Sequence, residues 1–96
     1  MIYVDSISFY PGKMISPVAR KHGHKWSHLF GDDVEELHRF AKGLGLRRSY
    51  FQDKPGFPHY DLTPVKRNMA ILKGAEIKEL VTFLREKRNG KNNNTK

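Results

Sequence analysis

The residues best equipped for chemistry lie in the stretch Phe57-Pro58-His59-Tyr60-Asp61-Leu62-Thr63-Pro64-Val65-Lys66-Arg67. Imidazole, phenol and carboxylate in succession offer a proton carrier, a hydrogen-bond donor and an orienting anion. If the stretch is extended, alternate residues point alike, so His59 and Asp61 share a side and Tyr60 takes the other. Thr63 suits an N-cap and Pro64 a first helical position, which predicts a helix from residue 64. Lys66 and Arg67 then stand in its first turn, where the helix dipole favours acids by about 0.3–1 kcal/mol each. A phosphate or carboxylate at that N-terminus would reverse the sign, because the amides, the dipole and both side chains would face one anion. Two cations extended into water are the plainer alternative.

Upstream, Ile2-Tyr3-Val4-Asp5 reads as a strand that delivers Asp5 at its end, or that ends in a turn at Asp5-Ser6. In Lys25-Trp26-Ser27-His28-Leu29-Phe30 the alternation puts Trp26, His28 and Phe30 on one face of a strand. His28 there is either a working imidazole or a histidine satisfied by one hydrogen bond. His38 lies at the rim of a helical apolar stripe, as a cleft-facing group or a boundary residue. Arg47 and Arg48 precede Tyr50 and Phe51, a composition that suits phosphate holding and base stacking if the aromatics are not core. The candidate catalytic set is thus His59, Asp61, His28, His38 and Asp5. The candidate ligand-binding set is Tyr60, Thr63, Lys66, Arg67, Arg47, Arg48 and Trp26. His22, His24 and His28 match no zinc spacing, so no metal site is assigned.

These side chains need elements to position them. Ninety-six residues at 38% hydrophobic content support one core and one domain. Val34, Leu37, Phe40, Ala41 and Leu44 recur at helical spacing behind an Asp32-Asp33 cap with Glu35 and Glu36, and Gly45 follows as a stop. Ile77, Leu80, Val81 and Leu84 give a second stripe. The expected fold is α+β (or small α/β), with a short sheet of two or three strands (about 2–5, 25–30 and possibly 75–77). Three helices (about 33–44, 64–73 and 77–88) are expected to cover it.

The absence of cysteine excludes disulfides, thiolate nucleophiles and iron–sulfur ligation. No run approaches the ~20 apolar residues of a membrane span and no signal peptide is recognisable, so a cytoplasmic protein without membrane contact is expected. Neither a phosphate loop nor a dinucleotide motif is present, and no cofactor is assigned. Of the net charge of +8, residues 85–96 carry +4 through Arg85, Lys87, Arg88, Lys91 and Lys96 against Glu86. That Asn-rich segment is expected to be a disordered tail behind a domain of residues 1–84. Ser8 to Gly23 reads as a long connection. With Lys13, Arg20, Lys21 and Lys25 and no acid between Asp5 and Asp32, it is the most positive part of the folded region and suits arching over an anion.

Tyr3-Val4-Asp5, Trp26-Ser27-His28-Leu29, Glu35-Glu36-Leu37-His38 with Phe40-Ala41, Leu44-Gly45-Leu46, and His59-Tyr60-Asp61 with Arg67 and Gly74-Ala75 resemble the DUF4031 family of small bacterial and phage proteins. The resemblance spans roughly residues 1–84 and implies that His28, His38, His59, Tyr60, Asp61 and Arg67 are its polar positions. It implies no activity. Three readings follow: a module binding a nucleotide or nucleic-acid phosphate in a basic cleft, a small phosphoester hydrolase using His–Asp acid/base chemistry, and a non-catalytic interaction domain.

Overall fold

Ile2, Tyr3 and Val4 are apolar on both sides of the chain and form a strand, β1 (Ile2–Val4), buried on both faces. The computed structural model describes residues 1–9 and 25–94. The connection carrying Tyr10 to His24, with its bases and two histidines, lies outside the described residues. After β1 come β2 (Ser8–Phe9), β3 (Lys25–Gly31), α1 (Val34–Gly43), a single 3-10 turn (Arg48–Tyr50) and β4 (Gln52–Lys54). The chain continues through β5 (Phe57–Leu62), α2 (Pro64–Leu72), β6 (Glu76–Ile77) and α3 (Leu80–Asn94).

The sheet runs β4-β5-β3-β1-β6, with β2 added on β3. Its ladders are antiparallel except that β1 and β6 pair in parallel. Among the described residues this α+β domain has three helices and five strands on the main path of its sheet, where two or three strands were expected. The difference is the β4–β5 hairpin. Lys54 pairs with Phe57 across a two-residue turn. Pro55 presets the first central residue of that turn, and Gly56, at φ 79°, takes the left-handed second position of a type II turn. The last helix also differs from 77–88. It starts at Leu80 and runs to Asn94, through most of the segment expected to be a disordered tail.

Strand alternation divides the interior in two. Ile2, Val4, Leu29, Tyr60 and Leu62 meet Leu37, Ala41 and Leu44 of α1 and Ala70 of α2, forming the main core. Tyr3 and Phe30 turn to the other face, where Phe83 of α3 covers them and Phe57 flanks them. The Phe30 and Phe83 rings stand 4.9 Å apart and edge-on, the favoured aromatic geometry. The helix ends follow their residues. Asp33 Oδ2 accepts from the Glu36 amide at 2.9 Å, and Thr63 Oγ1 accepts from the Lys66 amide at 3.2 Å. Among the described residues, no helix is long and apolar enough to cross a membrane.

Candidate functional site

The site starts from a fault in the sheet. Val4 pairs with Leu29, but Ser8 pairs with Trp26, so Asp5, Ser6 and Ile7 stand opposite only Ser27 and His28. One extra residue in one strand is a β-bulge, which bends that strand and re-aims its groups. The Asp5 amide still donates to the His28 carbonyl, at 3.4 Å. In return the His28 amide donates to Asp5 Oδ1, at 2.7 Å. The displaced Asp5 carbonyl accepts from Arg67 Nε at 2.8 Å, while Asp5 Oδ2 lies 2.6 Å from His28 Nδ1. A buried carboxylate thus anchors both the backbone and the ring of one histidine.

His59, on the neighbouring strand, brings its ring centroid to 5.0 Å from that of His28, edge-on. Its Nδ1 lies 2.9 Å from the Phe57 carbonyl, and its ring stacks on Phe57 at 4.2 Å. Asp61 follows on the same face, with Oδ1 at 3.5 Å from His59 Nε2 and Oδ2 accepting from Gln52 Nε2 at 2.6 Å. Asp61 Oδ1 is buried and has no hydrogen-bond partner.

Carbonyl and carboxylate oxygens only accept, so both histidines carry a proton on Nδ1, and in the neutral rings Nε2 keeps its lone pair. His28, His59 and Asp61 each offer a donor atom within 4.8 Å of the others. Solvent reaches the cluster through His28 and Asp61, whose side chains are 15% and 12% exposed, while that of His59 is 3% exposed. Trp26 walls one side, its ring centroid 4.7 Å from that of His28.

The other candidates separate from this cluster. Tyr60 alternates away from His59 into the main core, and its hydroxyl lies 2.8 Å from His38 Nδ1. His38 packs edge-on to Phe51 at 4.5 Å, and the Arg48 guanidinium sits 5.6 Å from the centre of the Phe51 ring. His38, Tyr60 and Arg48 therefore form a second group on the opposite face of the sheet. Arg47 is exposed. Lys66 Nζ donates to the Leu44 carbonyl at 2.6 Å, so its charge complements the C-terminal end of α1. Lys66 and Arg67 both bond backbone carbonyls, and the awkward cation pair at the start of α2 has partners without any anion.

Sequence reasoning missed Gln52, which holds Asp61, and the Phe57 carbonyl, which sets the His59 tautomer. Their signal was the Pro55-Gly56 turn, because a hairpin there pairs Gln52 with His59.

Burial raises the Tyr60 phenol above its ordinary value of 10.0, with Arg48 opposing. Between that value and the higher folded one, only the unfolded chain gives up the proton, so the contribution to stability is full below about pH 10 and is lost as pH rises. The melting temperature is expected to fall above pH 10, and to fall less steeply in Tyr60→Phe. Calorimetry across that range checks this.

The structure is a small α+β domain with a histidine–aspartate cluster on the sheet face opposite its main core. The chain belongs to the family described as "Protein of unknown function (DUF4031)", whose profile matches residues 13–88. That span takes in His28, His59, Asp61 and Arg67, and begins after Asp5. No curated protein and no solved structure matches the chain.

Proposed function

We propose that the protein binds a phosphate-bearing ligand, a nucleotide or nucleic acid, at the Asp5, His28, His59 and Asp61 cluster and hydrolyses its phosphoester. The observation that carries this reading is the pair of edge-on imidazoles at 5.0 Å, each anchored through Nδ1 and each leaving Nε2 uncommitted to a donor. Hydrolysis needs a base for water and positive charge for the phosphoryl oxygens. An Nε2 atom takes a proton from water, the water oxygen bonds to phosphorus, and the ester P–O bond breaks. The leaving oxygen keeps that electron pair and is protonated by the other imidazole, in its charged form, or by solvent. Arg67, held on the Asp5 carbonyl at 2.8 Å, is the fixed cation beside the cluster.

The test is turnover of nitrophenyl phosphodiesters, mononucleotides and oligonucleotides by the full chain, with and without Mg²⁺, Mn²⁺ or Zn²⁺. His59→Gln is expected to lower kcat/KM by at least about 100-fold, the lower range of acid–base contributions, with an unchanged circular dichroism spectrum. No turnover on any substrate would overturn the proposal. Binding of the same ligands without turnover would leave the cluster a recognition site only.

A further inference from the structure

We propose that His28 Nε2, His59 Nε2 and Asp61 Oδ1 hold one divalent transition-metal ion, for which Zn²⁺ is the best match. This rests on the reading that the cluster is the working site, and it supplies what that reading lacks. Asp5 and Asp61 bring two negative charges against one guanidinium, a balance that repels phosphate. A divalent ion reverses it.

Four observations point to a cation. Both Nδ1 atoms are engaged by acceptors, Asp5 Oδ2 at 2.6 Å and the Phe57 carbonyl at 2.9 Å, so both Nε2 lone pairs are left for a ligand. This is the arrangement by which outer groups fix the tautomer of metal-bound histidines. His59 Nε2 then faces Asp61 Oδ1 at 3.5 Å, an acceptor opposite an acceptor. That distance is close to the ~3.4 Å edge of a tetrahedron built on bonds of ~2.1 Å. Asp61 Oδ1 is buried without a hydrogen bond, while Gln52 holds the other oxygen of the same carboxylate. Finally, His28, His59 and Asp61 each offer one ligand atom, and these three atoms lie within 4.8 Å of one another.

Two nitrogens and one oxygen suit zinc and its first-row neighbours rather than Mg²⁺ or Ca²⁺, which prefer oxygen alone. Three protein ligands also leave a tetrahedral ion one position for water, as in catalytic zinc sites, where the water's pKa falls to about 7. With both Nε2 lone pairs given to the ion, neither imidazole acts as the base or acid: the ion-bound water loses its proton to solvent instead, and the hydroxide oxygen forms the bond to phosphorus. The ester oxygen departs with its electron pair and takes a proton from solvent.

The experiment is calorimetric titration of the chelator-stripped full chain with ZnCl₂, repeated with Co²⁺ to read the coordination geometry by visible absorption. One Zn²⁺ per chain with tetrahedral Co²⁺ spectra is expected. His28→Gln and Asp61→Asn should each weaken binding at least about 10-fold while remaining folded by circular dichroism. The double substitution His22→Ala, His24→Ala should leave affinity unchanged. A folded wild-type chain that takes up no Zn²⁺ overturns the proposal. So does zinc uptake that survives both cluster substitutions or is lost with His22 and His24. Zinc binding without phosphoester turnover sustains the metal site and overturns the hydrolase, whereas turnover by metal-free protein that takes up no Zn²⁺ does the reverse.

Discussion

Asp5→Asn is expected to leave the protein folded and to lower phosphoester turnover by about 10²–10⁴-fold, the range of a general acid–base contribution, which is lost when the histidine takes the wrong tautomer. The side-chain oxygen of asparagine still accepts from the His28 amide, now 2.7 Å from Asp5 Oδ1. Its amide nitrogen, however, replaces the oxygen that lies 2.6 Å from His28 Nδ1. A donor there requires a lone pair on Nδ1, so the neutral ring moves its proton to Nε2, the atom that must face the substrate or the ion. Both proposed roles of His28 are lost without any loss of packing. Nitrogen NMR of the imidazole checks the tautomer, and calorimetry checks that the melting temperature changes little. A wild-type tautomer with wild-type turnover would show that Asp5 does not govern His28.

Leu29→Ala is expected to destabilise the domain by about 3 kcal/mol, within the range for buried leucines that leave a cavity. Leu29 is 0% exposed and lies in the main core with Leu37, Tyr60 and Ala70. Its own strand is paired on both sides, with Val4 and with Tyr60 directly opposite it, so the backbone cannot readily move inward to fill the space. At roughly 4–8 °C per kcal/mol for a domain of this size, the melting temperature should fall by about 12–24 °C. Val81→Ala, at a position 62% exposed, should shift it by no more than a few degrees. Equal effects at the two positions would mean that the sheet is not organised around β3.

Local rules made the helices readable. The Asp33 and Thr63 caps and the stripe of Leu37, Ala41 and Leu44 each follow from short-range chemistry, and the structure carries all of them. The hairpin was harder to read because its first strand, β4, is Gln52-Asp53-Lys54 and carries no apolar residue to mark it as a strand. In β5 the alternation is clear only from His59 onward, with His59 and Asp61 on one side and Tyr60 and Leu62 on the core side. The same fact made the site half legible. Alternation correctly put His59 beside Asp61 and His28 among aromatics, but nothing local shows that β5 lies next to β3, which is what brings the two histidines together. His38 was grouped with them by residue type, whereas the sheet separates them onto opposite faces. The bulge at Asp5 depends on a register between distant strands, and the bonds of Lys66 and Arg67 run to carbonyls far away in sequence, so neither could be read locally.

Whether His28, His59 and Asp61 hold one ion is read most directly by anomalous diffraction at the zinc edge from crystals grown with Zn²⁺. A single strong peak is expected within about 2.0–2.2 Å of Nε2 of both histidines and of Asp61 Oδ1. A map with no peak between them, or with its strong peak on other residues, would contradict this.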